Sequence, residues 1–262
     1  MYYYITEPPR SREVQQAEEK VRELLIQAGI AGEFVCTSPT RGVEELAEMG
    51  VAKKYTTLVA IGSEPHLNTL GTLLAGTSYV FGALPITRPD ALASVNDVRT
   101  FEEGVEALKF RRVHAVPVCR IEPNKFFFSE LHLQSSHVTN VRIRINDALV
   151  ETPCHAMTFT GSGQLTIEHR IEQRGAASSL RNFFFKDASV NVERSQFQGN
   201  VIAIETSQPL TFHLGAEAFV RTPLAATIIP NSLKIITRRD TLAALSDQKS
   251  EGTEVVFQTN NW

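Results

Sequence analysis

A chain of 262 residues, 42% apolar and 21% charged, has the makeup of a globular protein, large enough for one big domain or two modest ones, and is too apolar for intrinsic disorder. A net charge of -3 and a pI near 6.2 supply no basic field for gripping nucleic acid. Cys36, Cys119 and Cys154 are scattered, with no Cys-x-x-Cys spacing, which suits free thiols in a reducing cytoplasm better than a disulfide framework.

Met1 to Ile5 lacks the basic start and long apolar run of a secretion signal. No stretch approaches the roughly 20 apolar residues that span a bilayer, so a lipid-directed protein would meet the membrane transiently, from water. Tyr2 to Ile5 reads as a short strand stopped by Pro8 and Pro9. Ser11 opens a helix with Val14, Ala17, Val21, Leu24, Leu25 and Ala28 on one face and Gly29 at its end. Gly32 to Thr37 reads as a strand, and Thr40 begins a helix carrying Val43, Leu46, Ala47 and Val51.

Thr57-Leu58-Val59-Ala60-Ile61 is short, continuous and apolar, as a strand covered on both faces of a parallel sheet must be. A helix follows over residues 65–75, then a second buried strand over 79–84. Thr100-Phe101-Glu102-Glu103 has the spacing of a capping box, and Arg111 and Arg112 suit the negative end of the helix it opens. Strand and helix alternating at this spacing predict an α/β domain, a parallel sheet with crossover helices.

Past His114 the texture becomes β-rich. Residues 116–118, 126–128, 131–133 and 141–145 read as strands, the last alternating Val141, Ile143 and Ile145 with Arg142 and Arg144. Asn146-Asp147, Gly161-Ser162-Gly163 and Gly199-Asn200 mark turns. Further strands are expected over 164–167, 190–192, 201–205, 210–214 and 232–237, with a short helix at 240–245 and a last strand at 254–258. The expected organisation is an α/β domain over residues 1–122, completed by 240–262, and an all-β, sandwich-like domain over 123–239.

The chemistry-bearing segment is Ile61-Gly62-Ser63-Glu64-Pro65-His66-Leu67-Asn68, where a buried strand gives way to a helix. Ligands of open α/β sheets collect at strand C-terminal ends, and helix N-termini favour anions. A well-made helix start explains Ser63, Glu64 and Pro65 equally well. Seven histidines show no paired spacing suited to zinc, and there is no Gly-x-Ser-x-Gly elbow or Walker loop. Phe126 to Phe128 and Phe183 to Phe185 suit a sandwich core or an acyl pocket; Arg142, Arg144, Arg181 and Lys186 suit a solvated face or anionic lipid.

The segment from Gly62 to Asn68 resembles the Gly-Gly-Asp-Gly-Thr-Leu-Asn signature of the diacylglycerol kinase, sphingosine kinase and bacterial lipid kinase superfamily, to which NAD kinases are related. Gly62, Leu67 and Asn68 match, while Ser63, Glu64, Pro65 and His66 stand where the family has Gly, Asp, Gly and Thr. Pro85 to Ala93 resembles the family's Pro-Leu-Gly-Thr-Gly-Asn-Asp-Leu-Ala loop, with Thr87, Arg88 and Pro89 among the departures. Leu210 to Glu217 resembles its Asp-Gly-Glu strand, of which Glu217 is kept; Pro223 and Ile229 to Ile236 resemble its closing strand, and Ile5-Thr6-Glu7-Pro8 stands where the family has an Asn-Pro turn. The order and spacing of these segments cover nearly the whole chain.

The resemblance implies ATP-dependent phosphoryl transfer to a lipid or small hydroxyl acceptor. It places nucleotide phosphates on Gly62, Ser63, Asn68 and Arg88, Mg²⁺ on Glu64, and a base or metal-linked carboxylate at Glu217. An exposed strand carboxylate explains Glu217 as well. The departures have a cost: Pro65 lacks an N–H, and side chains at 63, 66, 87 and 89 crowd loops that glycine would open to a nucleotide. Arg88 offers paired donors to phosphate. The sequence therefore carries three readings: a lipid-kinase-like phosphotransferase, a non-catalytic binding or regulatory descendant, and an NAD kinase relative. None of them opposes a homo-oligomer.

Overall fold

Apolar runs that can be covered on both faces become the inner strands of a parallel sheet, and the first third of the chain builds one. The computed structural model describes residues 1–88, 92–171 and 191–238. Its contacts divide the chain into two units. The first comprises Met1–Cys119, Phe126–Glu130 and the described residues from Ile229; the second comprises Arg120–Lys125 and the described residues of Leu131–Ile228.

In the first unit, β1 (Tyr2–Thr6), α1 (Arg12–Gln27), β2 (Gly32–Cys36), α2 (Val43–Ala52), β3 (Thr57–Gly62), α3 (Glu64–Leu74) and β4 (Val80–Pro85) alternate along the chain. The short α4 (Ala93–Asn96) and α5 (Phe101–Phe110) follow, then β5 (Arg112–Ile121). The strands run parallel in the order β4-β3-β1-β2, and the C-terminal part of β14 (Leu224–Thr237) joins beside β4 through Ile235 and Phe81. Alternation along β1 divides the core. Tyr3 and Ile5 pack with Leu58, Ala60 and Phe81 beneath Leu46 of α2 and Leu67, Leu70 and Leu74 of α3. Tyr2 and Tyr4 pack with Val59, Ile61 and Leu84 beneath Val21 and Leu25 of α1 and Val105 and Leu108 of α5. The sheet is thus helix-covered on both faces.

Local chemistry sets the helix ends. Ser11 Oγ accepts the Val14 N–H, and Thr100 Oγ1 accepts the Glu103 N–H, each at 3.3 Å. Glu103 completes its cap one residue further out than a capping box would, on the Arg99 N–H at 2.8 Å. The second helix starts at Val43 rather than Thr40, because Ser38 and Arg41 first exchange backbone hydrogen bonds across a tight turn. Arg111 does not prolong α5: it is left-handed at φ 50°, and its guanidinium donates to Thr57 Oγ1 at 2.9 Å.

In the second unit, β7 (Glu130–Ile145), β8 (Ala148–Thr160), β9 (Gln164–Ile171), β10 (Asn191–Gln198) and β11 (Val201–Thr206) lie in the order β10-β9-β8-β7-β11, with the N-terminal part of β14 beyond β11. The registers of β9 with β8 and β10, and of β11 with β7 and β14, are antiparallel. The hairpin of β12 (Thr211–Leu214) and β13 (Glu217–Arg221) attaches to β7 through His213 and His132. Val141, Ile143 and Ile145 are buried while Arg142 and Arg144 are exposed, as the alternation predicts. The stretches at 131–133 and 141–145 are the two ends of one long strand, and β6 (Lys125–Phe127) precedes it. The mixed sheet with its helices and the further antiparallel region match the α/β-plus-β fold class expected from the sequence. Of those expectations, the loop at 89–91, Phe183 to Phe185, Arg181, Lys186 and the elements at 240–245 and 254–258 fall outside the described residues.

Candidate functional site

A parallel sheet in the order β4-β3-β1-β2 reverses direction once: the chain leaves β1 for β2 on one side, then returns past it to β3 on the other. Between the C-terminal ends of β1 and β3 the connections diverge, and an open α/β sheet has its crevice there. The residues at that point are Glu7, directly after Thr6, and Ser63, directly after Gly62.

They are bonded to each other. Glu7 Oε1 accepts the Ser63 N–H at 2.6 Å, and Glu7 Oε2 accepts the Ser63 hydroxyl at 2.9 Å. The Glu7 side chain is only 11% exposed, with Arg10 Nη2 3.9 Å from Oε2. Gly62 makes room for it: a Cβ there would lie 2.9 Å from both Glu7 Cγ and Oε1. Ser63 caps α3 with its backbone, and its hydroxyl makes no cap bond to that helix. A capping box would bond the N-cap N–H from the third helical residue. That residue is His66, and its ring is turned away: Nε2 donates to the Ile5 carbonyl at 2.9 Å. Burial is the largest influence on the His66 ring and holds its pKa below the ordinary value; the Ile5 hydrogen bond and the Glu7 charge oppose this without reversing it.

Glu64 opens α3 at 3% exposure. Its Oε1 accepts the buried Ser129 hydroxyl at 3.1 Å, and its Oε2 lies 3.4 Å from Arg88 Nη1. Arg88 is 44% exposed. Asn68, one turn further along α3, donates Nδ2 to the Phe126 carbonyl at 2.9 Å, and its Oδ1 is buried without a hydrogen-bond partner. Glu64 and Asn68 share a helix face at i, i+4 spacing and bond the same segment, residues 126–129.

Of the residues singled out from sequence, Gly62, Ser63, Glu64, Asn68 and Arg88 lie in the first unit, with Glu64 and Arg88 in contact. Glu217 belongs to the second unit, where it opens β13 in an exposed position opposite Leu214. Glu7 and Ser129 complete the cluster; sequence reasoning missed Ser129 and noted Glu7 only within the Ile5 to Pro8 segment, with no role assigned to it. An acid just past the first strand of a parallel sheet, in that segment, was the signal for Glu7. Phe127 and Phe128 are core residues, Phe128 meeting Phe81 edge-on with ring centroids 5.4 Å apart. Arg142 pairs with Glu151 at 2.7 Å on an exposed strand face.

Elsewhere in this unit, a cavity of about 300 Å³ is lined by Glu106, Phe110, Arg112 and Arg238, and one of about 380 Å³ by the ends of α1 and α5, including Ala28, Glu106 and Phe110. Both are lined by Phe110, whose neighbour Arg111 reaches Thr57, at the opposite end of β3 from Ser63. Among the described residues no three His, Cys, Asp or Glu side chains converge as a metal ion would require, and no helix is long and apolar enough to cross a membrane.

No protein-family model and no curated protein sequence matches the chain. Solved structures do. A candidate diacylglycerol kinase from Bacillus anthracis is similar over 90% of this chain and 96% of its own, at 13% identity and a TM-score of 0.65. A diacylglycerol kinase structure from the same organism is similar over the same shares, at 12% identity and a TM-score of 0.60. Yeast NADH kinase is a more distant likeness, at 11% identity and a TM-score of 0.47. At that similarity over nine-tenths of its length, this chain shares the fold of these Bacillus anthracis diacylglycerol kinase structures.

Proposed function

We propose that this protein is a non-phosphorylating binding or regulatory module built on the diacylglycerol kinase fold. The observation that carries the reading is Glu64. A carboxylate that organises Mg²⁺ must offer oxygens to a cation with near-octahedral demands. Glu64 is buried, with one oxygen on Ser129 and the other facing Arg88. Around it, the Ser63 N–H is taken by Glu7, Pro65 has no N–H to give, and Asn68 is turned to Phe126. Phosphoryl transfer depends on positioning and charge compensation, and most of these donors and acceptors are spent on groups of the chain itself. They do not fit ATP with Mg²⁺, and no catalytic step follows from them.

The test is incubation of the purified full chain with Mg-ATP and a panel of diacylglycerol, sphingoid and NAD acceptors. No phosphorylated product at any protein concentration is expected. Turnover that Glu217→Ala abolishes would overturn the reading in favour of the second one, ATP-dependent transfer to a lipid or related hydroxyl. That second reading is favoured by the half-exposed Arg88 guanidinium and the exposed Glu217. In it, Gly62, Ser63, Asn68 and Arg88 hold phosphates, Glu64 holds Mg²⁺, and Glu217 acts at the acceptor hydroxyl. Product in the NAD arm alone would identify a relative of the NAD kinases.

A further inference from the structure

The crevice between β1 and β3 already holds an oxyanion, and it is the chain's own. Glu7 brings two carboxylate oxygens from the end of one strand onto two donors at the end of the other, at 2.6 and 2.9 Å. Both are donor to charged acceptor, the strong class of hydrogen bond, and at 11% exposure they are little diluted by water. The partial positive charge at the start of α3, an 11-residue helix, favours the same placement. The missing Cβ at Gly62 is filled by the Glu7 side chain, so glycine here makes room for an internal carboxylate.

We infer that Glu7 determines the ligand class of this crevice: it occupies the oxyanion position on Ser63 and thereby excludes phosphate groups from the switch point. A phosphate approaching Ser63 meets a carboxylate on the donors it needs, and must displace two charge-assisted hydrogen bonds while facing a like charge. Removing the Glu7 carboxylate frees the N–H and hydroxyl of Ser63, with the half-exposed Arg88 guanidinium on the neighbouring turn. The inference deepens the non-phosphorylating reading and rests on it for its location.

The experiment is calorimetric titration of the full-length wild type, Glu7→Ala and Glu7→Gln with inorganic pyrophosphate, following the Ser63 amide by NMR. The wild type is expected to bind no more tightly than millimolar. Glu7→Ala is expected to bind at least tenfold more tightly with the Ser63 amide resonance moving, and Glu7→Gln to fall between them. Glu7→Gln keeps the size of the side chain and an oxygen for the Ser63 N–H, so it remains informative if the alanine variant fails to fold. Equal affinity across the folded proteins, or a gain that leaves the Ser63 amide unmoved, would overturn the inference. Wild type that binds pyrophosphate tightly yet transfers no phosphate removes the role of Glu7 and leaves the non-phosphorylating reading standing. Turnover by wild type removes both.

Discussion

Replacing Glu64 by alanine separates a structural carboxylate from a catalytic one. The substitution leaves the Ser129 hydroxyl, 1% exposed, without its Glu64 acceptor, and a buried donor so stranded costs about 1–3 kcal/mol. Losing the pair with Arg88 adds little, because a guanidinium 44% exposed rehydrates, and such pairs contribute about 0.5–1 kcal/mol. The sum is about 1.5–4 kcal/mol, or a fall in Tm of roughly 3–16 °C for a chain of this size. Glu64→Gln keeps an oxygen for Ser129 and should lose only about 0.5–1 kcal/mol. Thermal and urea unfolding, followed by circular dichroism, measure both. A metal-binding carboxylate facing solvent would instead leave stability unchanged or raise it when removed, so Glu64→Ala as stable as wild type would refute the reasoning.

Acid should destabilise the first unit through His66. Its folded pKa is held by burial below the ordinary 6.5, so the unfolded chain binds the proton first; the stability is fully present above about pH 6.5 and drains away as pH falls toward the folded value. Urea midpoints between pH 7.5 and 5 should fall more steeply for wild type than for His66→Gln, and equal slopes would contradict this. Gly71→Ala places a Cβ 2.3 Å from Cε1 of the buried Phe128, and overpacking of this kind should cost about 1–3 kcal/mol by urea unfolding; a neutral result would show that Phe128 is free to move.

What could be read from the sequence follows from the range of the interactions involved. Short-range signals were legible. The apolar runs of β3 and β4, the caps at Ser11 and Thr100 and the alternation of Val141, Ile143 and Ile145 each lie within a few residues. So was the strand-to-helix turn at Gly62 to Glu64, where β3 gives way to α3. The partners at that turn were not legible. Glu7 lies 56 residues from Ser63 and Ser129 lies 65 from Glu64, and only the β1–β3 pairing and the return of the chain at 126–129 bring them together. The long β7 read as two strands because its middle, Gln134 to Asn140, is polar and largely exposed. The next strand, β8, escaped notice because Pro153 interrupts it and its exposed half lacks alternation. The short α4 begins at Ala93, where the stretch that reads as a phosphate loop ends, and its four residues are too few to show a period.

At the end of β3, the N–H and hydroxyl of Ser63 and the carboxylate of Glu64 are already committed within the chain. A crystal structure of the protein soaked with millimolar Mg-ATP tests it most directly. The prediction is Glu7 still on the N–H and hydroxyl of Ser63 and Glu64 still on Ser129, with no phosphate between β1 and β3. A nucleotide phosphate seated on Ser63, with Glu7 displaced and Mg²⁺ on Glu64, would contradict it.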